Sequence, residues 1–222
     1  MKKILFSKAD VISLFVICFS FAVSFYFYSH FPERVPTHWN FAGVADGWSG
    51  RGFAAFFFPI VVLGIYALIS IAPFLDPKKE RYEEFAKAYG MIKIIIVSFM
   101  TLVYVVVGLA GTGVPIDVGF LVPVLVGLFF IALGNYMGKI KMNWMVGMRN
   151  PWTLSSEEVW NKTSCLAGKT MMCAGVLFFV MSYVSTGWRP VLLIGAIAII
   201  ILVPNIYSFV LFRKLQTKNS RN

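Results

Sequence analysis

The sequence predicts an all-α, polytopic membrane bundle of six transmembrane helices, with both termini cytoplasmic and a short outer loop holding a turn-rich or extended segment. Three observations carry that prediction: composition, run length and the sorting of basic residues. Of 222 residues, 59% are hydrophobic and 14% charged, where soluble domains are about 25% charged. Such a chain cannot bury its apolar residues in one aqueous core. Apolar runs occupy 11–29, 53–75, 91–110, 116–136, 170–186 and 191–211, and roughly 20 apolar residues cross a bilayer as helix. The fifth run is the shortest and is expected to begin nearer Leu166.

The basic residues give the orientation. Of the 20 Lys and Arg, Arg34, Arg51 and Arg189 are the exceptions to one pattern. The others precede the first run, follow the last, or lie between runs two and three and between runs four and five, with Lys93 just inside the third. Cytoplasmic loops keep the Lys/Arg excess, so 30–52 is expected on the outer side of a cell membrane and 137–169 on the inner side. The net charge of +10 is thus a topology signal. Nucleic-acid binding would need the cations clustered on one face, and no direct nucleic-acid contact is expected.

The first run reads as a retained span. It ends in "FYFYSHFPERV", with bulky aromatics where signal cleavage needs small residues. The outer loop follows as "HFPERVPTHWNFAGVADGWSGRG". Val35, Thr37, Trp39 and Phe41 alternate with Pro36, His38 and Asn40, which predicts a short extended segment, then turns at Ala42-Gly43 and Asp46-Gly47. "DPKKERYEEFAKAYG" reads as a charge-laced helix from about Lys78, with Glu83 and Lys87 at i, i+4. Pro59, Pro123 and Pro204 fall inside spans, where neighbouring helices must accommodate them.

The second cytoplasmic loop is the most polar stretch. "GKIKMNWMVGMRNPW" reads as an irregular segment at the headgroup level. Ser155 with Glu158 three residues on is a capping-box pattern, with Glu157 and Glu158 favourably placed in the first turn. Trp160 is expected to dip into the interface.

An enzyme reading finds no catalytic set. His30, His38, Glu33 and Asp46 share the outer loop, but without any recognised metal-ligand spacing, so no metal and no cofactor are expected. Glu157 and Glu158, adjacent on a helix, point about 100° apart and cannot converge on one atom. Cys18, Cys165 and Cys173 match no metal motif and predict no disulfide. A small transporter or channel is the alternative class; it wants ionisable groups at membrane depth, and Lys93 and Asp117 both read as snorkelling to a surface.

Two segments resemble a known family. "FPERVPTHWNFAGVADGW" after the first span and "GNYMGKIKMNWMVGMRNPWTLSSEEVWNKT" after the fourth look like the SdpI family of bacterial membrane immunity proteins, whose N-terminal part is a domain of formerly unknown function. The resemblance takes in about 13–60 and 128–200. Where relatives carry a Pro before the Asn of "KMNW" and a His-Arg pair after "KT", this chain has Met142 and Ser164-Cys165.

The resemblance implies an N-terminal two-span unit over 1–75 and a four-span unit over 76–222. It further implies immunity to a secreted antimicrobial peptide toxin and capture of a cytoplasmic transcriptional repressor when the toxin is present. On that reading His38, Trp39, Asn40, Asp46 and Trp48 are the toxin- or ligand-facing candidates. Arg149, Pro151, Trp152, Ser155, Glu157, Glu158, Trp160 and Lys162 are the cytoplasmic signalling candidates. The bland alternative is that Arg149, Trp152 and Lys162 merely meet anionic headgroups.

Overall fold

The computed structural model describes residues 7–219; Lys2, Lys3 and Arg221, which contribute to the orientation above, lie outside the described residues. In chain order come α1 (Lys8–His30), β1 (Arg34–Trp39), β2 (Ala45–Gly50), α2 (Arg51–Leu75) and a 3-10 turn at Lys79–Glu83. Then follow α3 (Ala86–Gly111), α4 (Val118–Met137), α5 (Pro151–Ser155), α6 (Glu157–Tyr183), a 3-10 turn at Thr186–Trp188 and α7 (Arg189–Asn219). All six long helices are long and apolar enough to cross a membrane. Each apolar run falls on one of them, with 116–117 preceding α4 and 184–186 following α6, and the fifth helix begins at Glu157, well before Leu166.

The bundle wears its large apolar side chains outward. Phe15, Leu68 and Ile194 are exposed, whereas Ser13, Ser20, Ser24 and Ala55 are fully buried between helices. Lipid tails are as apolar as leucine, so close packing of small residues drives helix association in a bilayer. Helices α1, α2 and α3 pack together, as do α4, α6 and α7, and α3 joins the two trios through α4.

The tightest seam is between α4 and α6. A Cβ at Gly175 would meet Gly127 O at 2.6 Å, and one at Gly168 would meet Gly134 O at 2.5 Å. Those glycines let two backbones approach where any side chain would part them. At the N-terminus of α4 the Asp117 carboxylate accepts from Phe120 N at 3.0 Å, capping the helix.

A buried ion pair, Lys93 with Asp10, joins α3 to α1. Both side chains are almost completely inaccessible. Asp10 also accepts from Ser7 N at 2.8 Å, Ser7 Oγ at 2.7 Å and the Tyr66 hydroxyl at 3.1 Å. Lys93 therefore does not snorkel to a surface: its counter-charge lies inside the trio, and each oxygen of the Asp10 carboxylate accepts two hydrogen bonds.

The loop between α1 and α2 is a two-stranded antiparallel hairpin. The extended segment lies where the alternation puts it, but Asp46-Gly47 is not a turn: both residues belong to β2. The reversal falls at Phe41–Gly43, with Gly43 at φ 76° and the Asn40 side chain accepting from Ala42 N and Val44 N. Gly47 serves a close approach instead, since a Cβ there would sit 2.9 Å from that of His38. After α2, no α-helix forms at Lys78. The Asp76 carboxylate accepts from Lys78 N at 2.7 Å and from the Tyr82 hydroxyl at 2.9 Å, winding the segment into a 3-10 turn.

Gly175→Val should force α4 and α6 apart, and overpacking typically costs about 1–3 kcal/mol. A lowered thermal midpoint in detergent, with Gly187→Val as an unstrained control, is the expected result.

Candidate functional site

Two regions carry the candidate residues, one at each end of the bundle. At the hairpin end, β1 rests on the first trio: Val35 is buried in a cluster with Phe27, Phe31, Ala55 and Tyr104. The tip reaches the second trio, where Gly43 faces the Gly119 backbone and Asp117, and Arg189 Nη1 donates to Phe41 O at 2.7 Å. Beneath β1 an apolar cavity of about 190 Å³ is lined by residues that include Phe31, Pro36, Phe57 and Tyr104.

Of the hairpin candidates, His38 and Asp46 come together, with Nδ1 2.5 Å from Oδ1. A carboxylate only accepts, so Nδ1 carries the proton. The pair is exposed, and screening by water leaves such pairs little energetic weight. Trp48 is exposed, Trp39 half-buried, and Asn40 is committed to closing the turn. His30 is elsewhere, stacked on Tyr26. Among the described residues no three His, Cys, Asp or Glu side chains lie close enough to hold a metal ion. The three cysteines are free and exposed.

The opposite, loop end is a knot of buried polar groups. Asn143 is fully buried. Its amide donates to Lys141 O and Val146 O, each 2.8 Å, and its carbonyl oxygen accepts from Met145 N, Val146 N and the Tyr82 hydroxyl. Asp76 accepts from Trp144 N at 2.9 Å as well as from Tyr82. Burial, and next the Asp76 carboxylate it donates to, push the Tyr82 phenol far above its ordinary range. The segment that reads as irregular is thus a folded loop whose backbone is satisfied by two side chains.

Trp160 belongs to this knot and not to the membrane interface. It is fully buried, and its indole donates to Ile140 O at 2.8 Å. Its ring lies against Gly147, where a Cβ would sit 3.0 Å away and where φ is 116°. Glycine is required there on both counts.

The expected capping box also moves. Ser155 is the last residue of α5 and donates to Pro151 O at 2.6 Å. Ser156, one residue later, caps α6 and accepts from Val159 N. With two serines in a row, the short α5 claims the first, so Glu158 is freed to bind Lys162 at 2.7 Å. Glu157 pairs with Arg81. The start of α5 is capped by Asn150, which accepts from Thr153 N at 2.9 Å and donates to Asn205 and Ser208 of α7. Arg149 donates to Trp144 O at 2.6 Å, and Trp152 lies against Phe209 with ring centres 5.1 Å apart. Of the loop candidates, Arg149, Pro151, Ser155, Glu157, Glu158 and Lys162 are exposed, and Trp152 is half-buried.

Asn143, Asp76, Asn150 and Thr153 hold the architecture, and none was singled out from sequence. The available signal was a buried-type amide between apolar residues in "KMNWM" and a carboxylate directly after an apolar run in "FLDP".

Trp160→Ala should cost about 3–5 kcal/mol, as for other buried aromatics. Trp160→Phe, which leaves the Ile140 carbonyl unanswered, should cost about 1–3 kcal/mol, and Trp152→Ala, which gives up the ring contact with Phe209, about 0.5–1.5 kcal/mol. Thermal or denaturant unfolding of the three variants checks the order.

Comparison with known proteins gives matches at both ends of the chain. Residues 139–208 match the SdpI/YfhL protein family and 15–63 match a domain of unknown function, DUF1648. The chain is 25% identical over 209 residues to the "Immunity protein SdpI" of Bacillus subtilis (strain 168), which spans 94% of this chain and 98% of that protein. No solved structure matches. The hairpin with its two flanking helices and the folded loop with α6 and α7 thus fall in the two matched regions, and the chain is a multi-pass cell-membrane protein that carries an SdpI/YfhL-type region towards its C-terminus and a DUF1648 domain at its N-terminus.

Proposed function

We propose that this chain is an integral membrane immunity protein that confers resistance to a secreted antimicrobial peptide toxin. The observation that carries the proposal is similarity to an immunity protein over nearly the full length of both chains. In this reading the termini and the 137–169 loop are cytoplasmic and the hairpin faces outward, as the distribution of Lys and Arg supports. The toxin meets the exposed side of the hairpin, where His38, Asp46 and Trp48 stand, with Trp39 and Asn40 shaping the strand and turn beneath. Residues 1–75 form the toxin-facing unit and 76–222 the signalling unit.

In the finer form of the proposal, bound toxin lets the loop end hold a cytoplasmic transcriptional repressor at the membrane. Arg149, Trp152, Glu158 and Lys162 would present the contact, since Trp and Arg side chains anchor interfaces more strongly than scattered charge. Pro151, Ser155, Glu157 and Trp160 would support its shape. The burial of Trp160 and the pairing of Glu157 with Arg81 and of Ser155 with Pro151 O support the division.

A second reading, a small transporter, is favoured by one observation. Asp10 and Lys93 form a buried ion pair between membrane-spanning helices, and intramembrane ionisable groups often mark transport pathways.

Expression in a toxin-sensitive strain, challenged with a panel of bacterial peptides, should yield survival against at least one; unchanged killing across the panel counts against immunity. An export-dependent reporter fused at Ser155 should stay dark. Trp152→Ala and Glu158→Gln should abolish induction of a reporter gene under the repressor while membrane levels stay constant. The charge-free pair Asp10→Asn with Lys93→Met should retain protection under the immunity reading and lose function under the transporter reading.

A further inference from the structure

Between α6 and α7, at the loop end, lies an open groove of about 460 Å³ lined by Asn161, Lys162, Cys165, Leu166, Lys169 and Tyr207. The five α6 residues fall on one helical stripe. Two of them are lysines, Leu166 and Tyr207 supply apolar surface, and Asn161 and the Tyr207 hydroxyl supply hydrogen-bond donors.

The depth of this groove follows from the glycine seam. Gly168 is level with Gly134, three residues before α4 ends at Met137. The 20 residues of α4 span about 30 Å, the thickness of the hydrocarbon layer. Lys169 therefore stands about one turn inside that layer's edge, and Lys162, seven residues nearer the loop, about 10 Å further out. One cation lies at the hydrocarbon border and the other among headgroups, with apolar surface between them.

The charges are compensated unequally. Lys162 is held by Glu158, while Lys169 has no carboxylate partner among the described residues. An ammonium group at that border, against apolar surface, calls for an anion that the protein does not supply.

We propose that this groove binds one anionic phospholipid, its phosphate taken between Lys169 and Lys162 and one acyl chain laid along Leu166 and Tyr207. Charge complementarity selects the phosphate, and the lateral position on two membrane-spanning helices selects a lipid over a dissolved anion. Each lysine near such a phosphate contributes about fivefold in affinity. This site does not rest on the immunity reading, although it shares Lys162 with the repressor contact proposed above.

Cys165 on the groove wall reports occupancy. In the full chain in detergent, with Cys18→Ala and Cys173→Ala leaving Cys165 as the sole thiol, its alkylation by a soluble maleimide is timed with added phosphatidylglycerol, phosphatidylcholine or inorganic phosphate. Phosphatidylglycerol should slow the reaction severalfold, and the other two should not. Lys162→Gln with Lys169→Gln should erase the slowing, and arginine at both positions should restore it, with unchanged thermal midpoints showing that the fold is intact. Equal slowing by phosphatidylcholine, slowing by phosphate alone, or protection that survives the double glutamine change would each overturn the proposal.

Discussion

One buried amide organises the loop end. Asn143 ties down the backbone at Lys141, Met145 and Val146 and, through the Tyr82 hydroxyl and Asp76, which also holds Trp144 N, binds that loop to the turn between α2 and α3. Irregular backbone close to a bilayer survives only where protein answers its polar groups. The seat of Trp160 depends on the result, since Ile140 O and Gly147 are both presented by this loop. The position of α6 depends in turn on Trp160. A single side chain thus connects the loop before α5 to the turn between α2 and α3 through contacts far apart in sequence.

What the sequence made legible was whatever resides in single residues or their near neighbours. Hydropathy located all six spans, because apolarity summed over twenty residues is insensitive to packing. The alternation of 35–41 gave the extended strand. The misreadings share a non-local cause. Lys93 looks like a snorkelling residue until Asp10, 83 positions earlier, is placed beside it. Trp160 has the neighbours of an interfacial tryptophan, and its acceptor lies 20 residues away. The Ser155-Ser156 pair offers two caps of equal local merit, and the choice was settled by a five-residue helix that no periodicity announces.

The same contrast divides the "NPWTLSSEEVW" motif. Asn150, Thr153, Val159 and Trp160 turn inward and are consumed by folding, whereas Pro151, Glu157 and Glu158 lie at the surface. Residues of the first kind can be kept for stability alone. Only the second kind is available to a partner, which is why a motif of this length is poor evidence for a contact at every one of its positions.

The hairpin stands on both halves of the molecule, and it works as a tie-rod across that face. Its root is seated by Val35 among the first three helices, and its tip is held by Arg189 and the Gly119 backbone of the others. Spreading the halves there would strip Val35 from its apolar seat or break the Arg189 bond, while the Asn143 knot resists the same motion at the far face. A bilayer squeezing or stretching this protein therefore works against a box braced at both lids, and the strain falls on the wall between them, where α3 packs on α4.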